Sequence, residues 1–259
     1  MIGILCTMLN GFGAKGLYNS QEIGLAKAIA DLTRQKVVIY KAINKTDVQN
    51  MEQINDNVTV KYICCARIGN AHGYMDTKWL DKTWCGEKMN ALICFCDQQL
   101  FIPHIYKFCT ENNIQMLLYT GIIRSNRGGL NAAISQTLFQ FGTKQLYKKV
   151  PVVAKTNGVK KELGKIGARD VVAPVGMDPK ALNANWKSAD RNQLRKGFHY
   201  MPEDTVVLCI SRMEKEKNIM DLIELAKKCR VGKKNMKFLV IGTGRQSEEF
   251  KKTVNAEHL

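Results

Sequence analysis

A chain of 259 residues, 45% apolar and 24% charged, has the composition of a folded globular protein and is long enough for one α/β domain plus part of another. Its 39 Lys and Arg outnumber 23 Asp and Glu, giving +16, which favours anionic partners: phosphorylated molecules, anionic lipid headgroups or nucleic acid. No run of five or six like charges, no C-x-x-C among nine cysteines, no basic leader before Ile2 and no apolar run near ~20 residues argue against a basic tail, a zinc site, a signal peptide and a bilayer span.

The elements alternate. Ile2 to Met8 reads as a buried strand, and Asn19 with Glu22 three residues on reads as a capping box opening a helix. That helix carries Leu25, Ile29 and Leu32 on one face, with alanines 26, 28 and 30 filling in. Strands follow at Val37 to Tyr40 and Val58 to Cys64, then a polar, glycine-bearing stretch to about Gly86. Ala91 to Cys96 reads as a central strand, and Pro103 suits the first turn of a helix to Thr110. His104 falls on that helix's surface. Ile114 to Tyr119 is a strand, Leu130 to Tyr147 a helix, Val150 to Ala154 a strand, Val159 to Ile166 a helix stopped by Gly167, and Val171 to Ala173 a strand. A second set follows: a polar helix over Asp190 to Gly197, strand Val206 to Ile210, helix Asn218 to Cys229, strand Lys237 to Ile241 and helix Ser247 to Ala256.

Near-continuous apolar strands between amphipathic helices predict a parallel sheet covered on both faces. The expected fold is therefore α/β: a doubly wound domain over residues 1–176, then a linker and an incomplete second Rossmann-like domain over 177–259. The second set offers two clear strands where a sheet usually has about five or six, so the sequence is expected to be truncated or completed by a partner.

Three motifs carry chemistry. Gly11-x-Gly13-x-x-Gly16 follows the first strand, and glycines there allow close approach of a phosphate to backbone amides. Read as a dinucleotide fingerprint it lacks an acidic residue after the second strand, where Lys41, Ala42 and Ile43 stand; a flexible glycine loop and a sugar-nucleotide phosphate site remain as alternatives. Ser211-Arg212-Met213-Glu214-Lys215-Glu216-Lys217 follows a strand. Arg212 offers a planar fork and Lys217 a point charge for a diphosphate; a charged surface cap is the plain alternative. Ile241-Gly242-Thr243-Gly244-Arg245 is a second strand-end turn.

The order of these pieces resembles the retaining, GT-B-fold glycosyltransferases of family 4. The likeness runs from the glycine loop and the helix carrying Leu25-Ala26, through Ala154 to Leu163, Val172-Ala173-Pro174-Val175-Gly176-Met177-Asp178 and the 211–217 segment, to Val240-Ile241-Gly242-Thr243-Gly244. The resemblance implies two facing Rossmann-like domains and sugar transfer with retention and without a metal. The donor would be a nucleotide-sugar such as a UDP- or GDP-sugar, its diphosphate held by Arg212, Lys217 and Gly16 and its nucleotide by Gly242 and Gly244. A glycan or lipid-linked acceptor is implied on the first domain, where Arg124 and Arg127 are weaker candidates for an anionic acceptor. Leu17 replaces a second glycine and Val175 the linker asparagine; no histidine occupies the 119–124 loop, and the donor-site glutamates would lie beyond Leu259. Catalytic residues are not assigned. Nine cysteines without zinc spacing read as buried reduced thiols of a cytoplasmic protein, and scattered basic pairs without a nucleic-acid module argue against a nucleic-acid partner; peripheral contact at the inner face of an anionic membrane is compatible with the lipid-linked acceptors of the family. A NAD-type oxidoreductase and an inactive fragment of the transferase are the alternatives.

Overall fold

The computed structural model describes residues 1–6, 21–44, 51–68, 72–74, 80–95, 101–121, 137, 139–176, 190–232 and 235–257. They form two compact units, Met1–Leu182 and Asn183–Leu259.

The first unit is built on β1 (Ile2–Cys6), β2 (Val37–Asn44), β3 (Met51–Asn55), β4 (Val58–Ile68), β5 (His72–Tyr74), β6 (Ala91–Phe95), β7 (Gln115–Thr120), β8 (Val152–Ala154) and β9 (Asp170–Val172). Their order is β3-β4-β2-β1-β6-β7-β8-β9, with β5 paired to β4. All pairings from β4 through β9 are parallel; β3 and β5 pair with β4 antiparallel. The chain winds outward from β1 to β2 and β4, then returns beside β1 as β6 and winds the other way. The β1/β6 boundary is thus a topological switch point, where sheets of this type bind ligands at the carboxyl edge. The β3–β4 hairpin is absent from the sequence reading: Met51-Glu52-Gln53-Ile54-Asn55 lacks a continuous apolar run because it is an edge strand with one half-buried face.

α1 (Gln21–Thr33) covers one face. Its buried residues are Glu22, Ala26 and Ala30 rather than the expected Leu25–Ile29–Leu32 stripe; Leu32 is 84% exposed. Two alanines at i and i+4 let the helix lie close to Ile4, Ile39 and Val60, so the small residues take the contact and the larger ones flank it. α2 (Ile102–Glu111), the short α3 (Thr143–Leu146) and α4 (Asn157–Ile166) cover the other face with the larger apolar cluster. The expected 130–147 helix is broken at Gly142 (φ −103°, ψ −97°), and its part before 137 lies outside the described residues. α4 starts where Thr156 Oγ accepts from Val159 N and stops at Gly167 in the left-handed region (φ 75°). The polar 65–86 stretch hides a core residue: a π-helical turn at Asp81–Cys85 buries Trp84 completely, with ring contacts to Tyr40 and Phe108 at 5.7 and 5.9 Å.

The second unit holds α5 (Arg191–Gly197), β10 (Thr205–Ile210), α6 (Asp221–Val231), β11 (Met236–Ile241) and α7 (Ser247–Ala256). β10 and β11 pair in parallel, and Met213, Ile219, Ile223 and Phe250 form the core beside them. Both strands are apolar enough for burial on two faces, yet Leu208 and Ile210 are exposed among the described residues. No helix of the described residues is long and apolar enough to cross a membrane.

Candidate functional site

In the second unit, two strand-end turns are pressed together. Beyond the last ladder pair, Ser211 N donates to Ile241 O (3.1 Å), Met213 N to Thr243 O (2.8 Å) and Gln246 N to Met213 O (3.0 Å). Glycine is what permits this. A Cβ on Gly242 would stand 1.8 Å from Ser211 O, and one on Gly244 2.3 Å from Met213 O, both backbone atoms. Gly242 also has φ 155°. These two glycines therefore shape the turn, and Gly244 N finds a side-chain acceptor in Ser247 Oγ at 2.8 Å.

The cations Arg212, Lys217 and Arg245 follow the carboxyl ends of β10 and β11 in sequence. Arg212 is exposed, and its Nη2 reaches Glu216 Oε1 at 2.9 Å across one turn. Lys217 closes a 3-10 turn over Lys215–Lys217, is exposed and makes no ion pair among the described residues. Asn218 ends that turn in the left-handed region (φ 49°) and precedes α6. Glu214, to which the sequence reading gave no role, ties the two turns: its carboxylate accepts from Arg245 N at 3.4 Å and faces Arg245 Nε at 3.9 Å. A cation-rich turn beside a glycine-lined turn can hold an anion with charge and backbone amides. An apolar cleft of about 580 Å³ lies elsewhere in this unit, lined by α6, β11 and α7 residues such as Ala226, Phe238 and Val254; neither turn lines it.

In the first unit, parallel register brings a row of side chains to one face of the carboxyl edge. Cys6 is level with Lys41 and with Phe95, Phe95 with Tyr119, and Tyr119 with Val153, two residues before Lys155. β2 continues to Asn44, so Lys41 lies within the strand rather than after it. Its ammonium meets Glu22 Oε1 at 2.6 Å, both nearly fully buried. Glu22 is thus half of a buried ion pair, and its Oε2 has no hydrogen-bond donor; Asn19, the cap of the expected capping box, lies outside the described residues. A carboxylate stranded at zero exposure costs several kcal/mol unless a cation answers it, as Lys41 does here. At the other end of the row, Lys155 Nζ sits 4.8 Å from the Tyr119 ring centroid and 5.0 Å from that of Phe95. Tyr119 itself donates to Ala173 O at 3.2 Å, and burial pushes its hydroxyl pKa up.

Of the residues expected from sequence, Arg212, Lys217, Gly242 and Gly244 fall in one pair of adjoining turns. Gly16, with Gly11 and Gly13, and both Arg124 and Arg127 lie outside the described residues.

No protein-family profile and no curated protein matches this chain. Solved structures do. HepE of Anabaena, in complex with UDP and glucose, superposes with TM-score 0.63 at 15% identity, covering 98% of this chain and 66% of HepE. Sucrose-phosphate synthase of Thermosynechococcus elongatus gives 0.68 at 11% identity, covering 100% and 68%. A UDP-forming trehalose-phosphate synthase of Burkholderia xenovorans, in complex with glucose-6-phosphate, gives 0.62 at 11%, covering 99% and 70%. The chain thus spans about two-thirds of the length of each. At these identities the likeness is one of architecture, and it establishes the fold: α/β and GT-B-like, with a doubly wound, mostly parallel sheet in the first unit and a parallel pair of strands with helices in the second.

Proposed function

We propose that this chain is the acceptor-side domain and part of the donor-binding domain of a glycosyltransferase that moves a sugar from a nucleoside diphosphate to a glycan or lipid-linked acceptor. The observation that carries this reading is the pair of turns at the carboxyl ends of β10 and β11, locked by Gly242 and Gly244, with Arg212 and Lys217 on them. A departing nucleoside diphosphate gains negative charge as the glycosidic bond breaks. A guanidinium and an ammonium stabilise that charge in the transition state, so the reading assigns no metal to the step. Retention of configuration and membership of family 4 belong to the same reading and rest on the motif order. The +16 charge supports peripheral contact with an anionic membrane bearing the acceptor.

A nicotinamide-dependent oxidoreductase is not favoured. The solved structures that resemble the chain, HepE with UDP and glucose and two sugar-phosphate synthases, support the transferase instead, and Lys41–Ile43, expected from sequence to follow the second strand, lie within β2.

The test is calorimetric titration with UDP and GDP, with NADH as control. One nucleoside diphosphate binds, NADH does not, and Arg212→Ala weakens the binding at least tenfold, about the effect of losing one charge-stabilising donor. Equal affinity of wild type and Arg212→Ala for both nucleotides would sink the assignment.

A further inference from the structure

The geometry points to Lys155 as the residue that selects an acceptor sugar bearing an anionic substituent, a phosphate or a carboxylate, on the first unit. The inference rests on the transferase reading for the word acceptor, but on its own observations for the site. Five successive strands, β2-β1-β6-β7-β8, deliver Lys41, Cys6, Phe95, Tyr119 and Lys155 to one face of the carboxyl edge, spanning the β1/β6 switch point. Two of the five are cations and they differ in kind. Lys41 is buried and neutralised by Glu22. Lys155 is half-buried and has no carboxylate partner among the described residues; its ammonium is held by the faces of Tyr119 and Phe95. Aromatic faces fix a cation without cancelling its charge, so the positive end stays available to an anion.

The path of the side chain is prepared as well. A Cβ on Gly121 would stand 2.9 Å from Lys155 Cδ, so the absence of a side chain at the end of β7 makes room for the lysine stem. Lys155 N donates to Thr120 O at 2.9 Å, which keeps the backbone in register as the side chain crosses toward β6. An ammonium placed this way cannot discriminate among neutral hydroxyls, but it discriminates strongly between a neutral sugar and its phosphorylated or carboxylated counterpart.

The experiment titrates the 259-residue chain with glucose 6-phosphate, glucuronate, glucose and inorganic phosphate at low ionic strength. In parallel, carbon-13 NMR of reductively methylated lysines follows Lys155, whose resonance lies upfield under the two rings and is assigned by its loss in Lys155→Arg. At least one anionic sugar binds tenfold or more tightly than glucose and moves that resonance; which one binds tells phosphate from carboxylate. Lys155→Met keeps the stem over Gly121 and the rings but loses the preference, whereas Lys155→Arg keeps it. Four results overturn the inference: no binding of either anionic sugar, equal binding of glucose, unchanged affinity in Lys155→Met, or inorganic phosphate binding as tightly as the sugar phosphate. The nucleotide titration above reports on Arg212 in the second unit, so loss of either reading is seen separately.

Discussion

Replacing Gly242 with alanine puts a methyl carbon 1.8 Å from the Ser211 carbonyl oxygen. Nonbonded atoms settle near about 3.5 Å, so the two turns must part by well over an ångström, and no side chain can rotate aside because the obstacle is backbone. Three hydrogen bonds span the seam: Ser211 N to Ile241 O, Met213 N to Thr243 O and Gln246 N to Met213 O. At a net of about 1 kcal/mol each, their loss costs about 3 kcal/mol. The positive φ of Gly242 adds about 1 kcal/mol for a residue with a Cβ. Gly244→Ala meets Met213 O at 2.3 Å without the dihedral contribution and should lose about 3 kcal/mol. Native-state hydrogen exchange of the Ser211, Met213 and Gln246 amides reads the local effect, and nucleoside diphosphate titration reads the displacement of Arg212. Exchange protection and nucleotide affinity both unchanged in Gly242→Ala would refute the account of why glycine stands there.

Breaking the Glu22–Lys41 pair from one side, by Glu22→Leu or Lys41→Met, should cost about 3–5 kcal/mol by urea unfolding, while the double replacement should return most of that loss, since it leaves no buried charge behind. Glu216→Ala should free Arg212 and tighten nucleoside diphosphate binding roughly twofold with little change in stability, because an exposed i,i+4 pair is worth only about 0.3–0.5 kcal/mol; weaker binding in that variant would mean that Glu216 positions the arginine. Burial pushes the Cys109 thiol pKa up to about 12, with a smaller contribution from Cys85. The folded state therefore keeps its proton where the unfolded chain releases it, so stability is complete below the ordinary thiol pKa and falls above it by up to about 1.4 kcal/mol per pH unit toward 12. Urea midpoints at pH 8, 9.5 and 10.5 should drop in the wild type and drop less in Cys109→Ala; parallel curves would remove Cys109 as the cause.

Periodicity made most of the sheet legible. The apolar runs at Ile2, Val37, Val58, Ala91 and Ile114 become strands because a parallel strand buried on both faces has no polar face to show, and the run at Val206 forms a strand as well although Leu208 and Ile210 are exposed. Gly167 stops a helix in the left-handed region, as its residue type implies, whereas that helix begins at Asn157 behind the Thr156 cap rather than at the expected Val159. The adjoining turns were legible as motifs for the same reason: the placement of Arg212, Lys217, Gly242 and Gly244 at strand ends follows from chain order alone.

Other features depended on contacts between residues distant in sequence. Nothing local distinguishes Glu22 from a helix-capping acid; only the arrival of Lys41 on a neighbouring strand makes it a buried partner. Trp84 looks like part of a polar loop until Tyr40 and Phe108 close around it. The stripe on α1 could be read as leucines or alanines, and the sheet's need for close approach chose the alanines. Lys155 is one of many lysines in the sequence; it stands out only because parallel register lays Phe95 and Tyr119 beneath its ammonium. Amino-acid order by itself determined the alternation of elements and the glycine-bearing turns, since these follow from each residue's own backbone and solvation preferences. Tertiary structure decided which charges are neutralised and which remain open, since a charge's partner is set by distance in space.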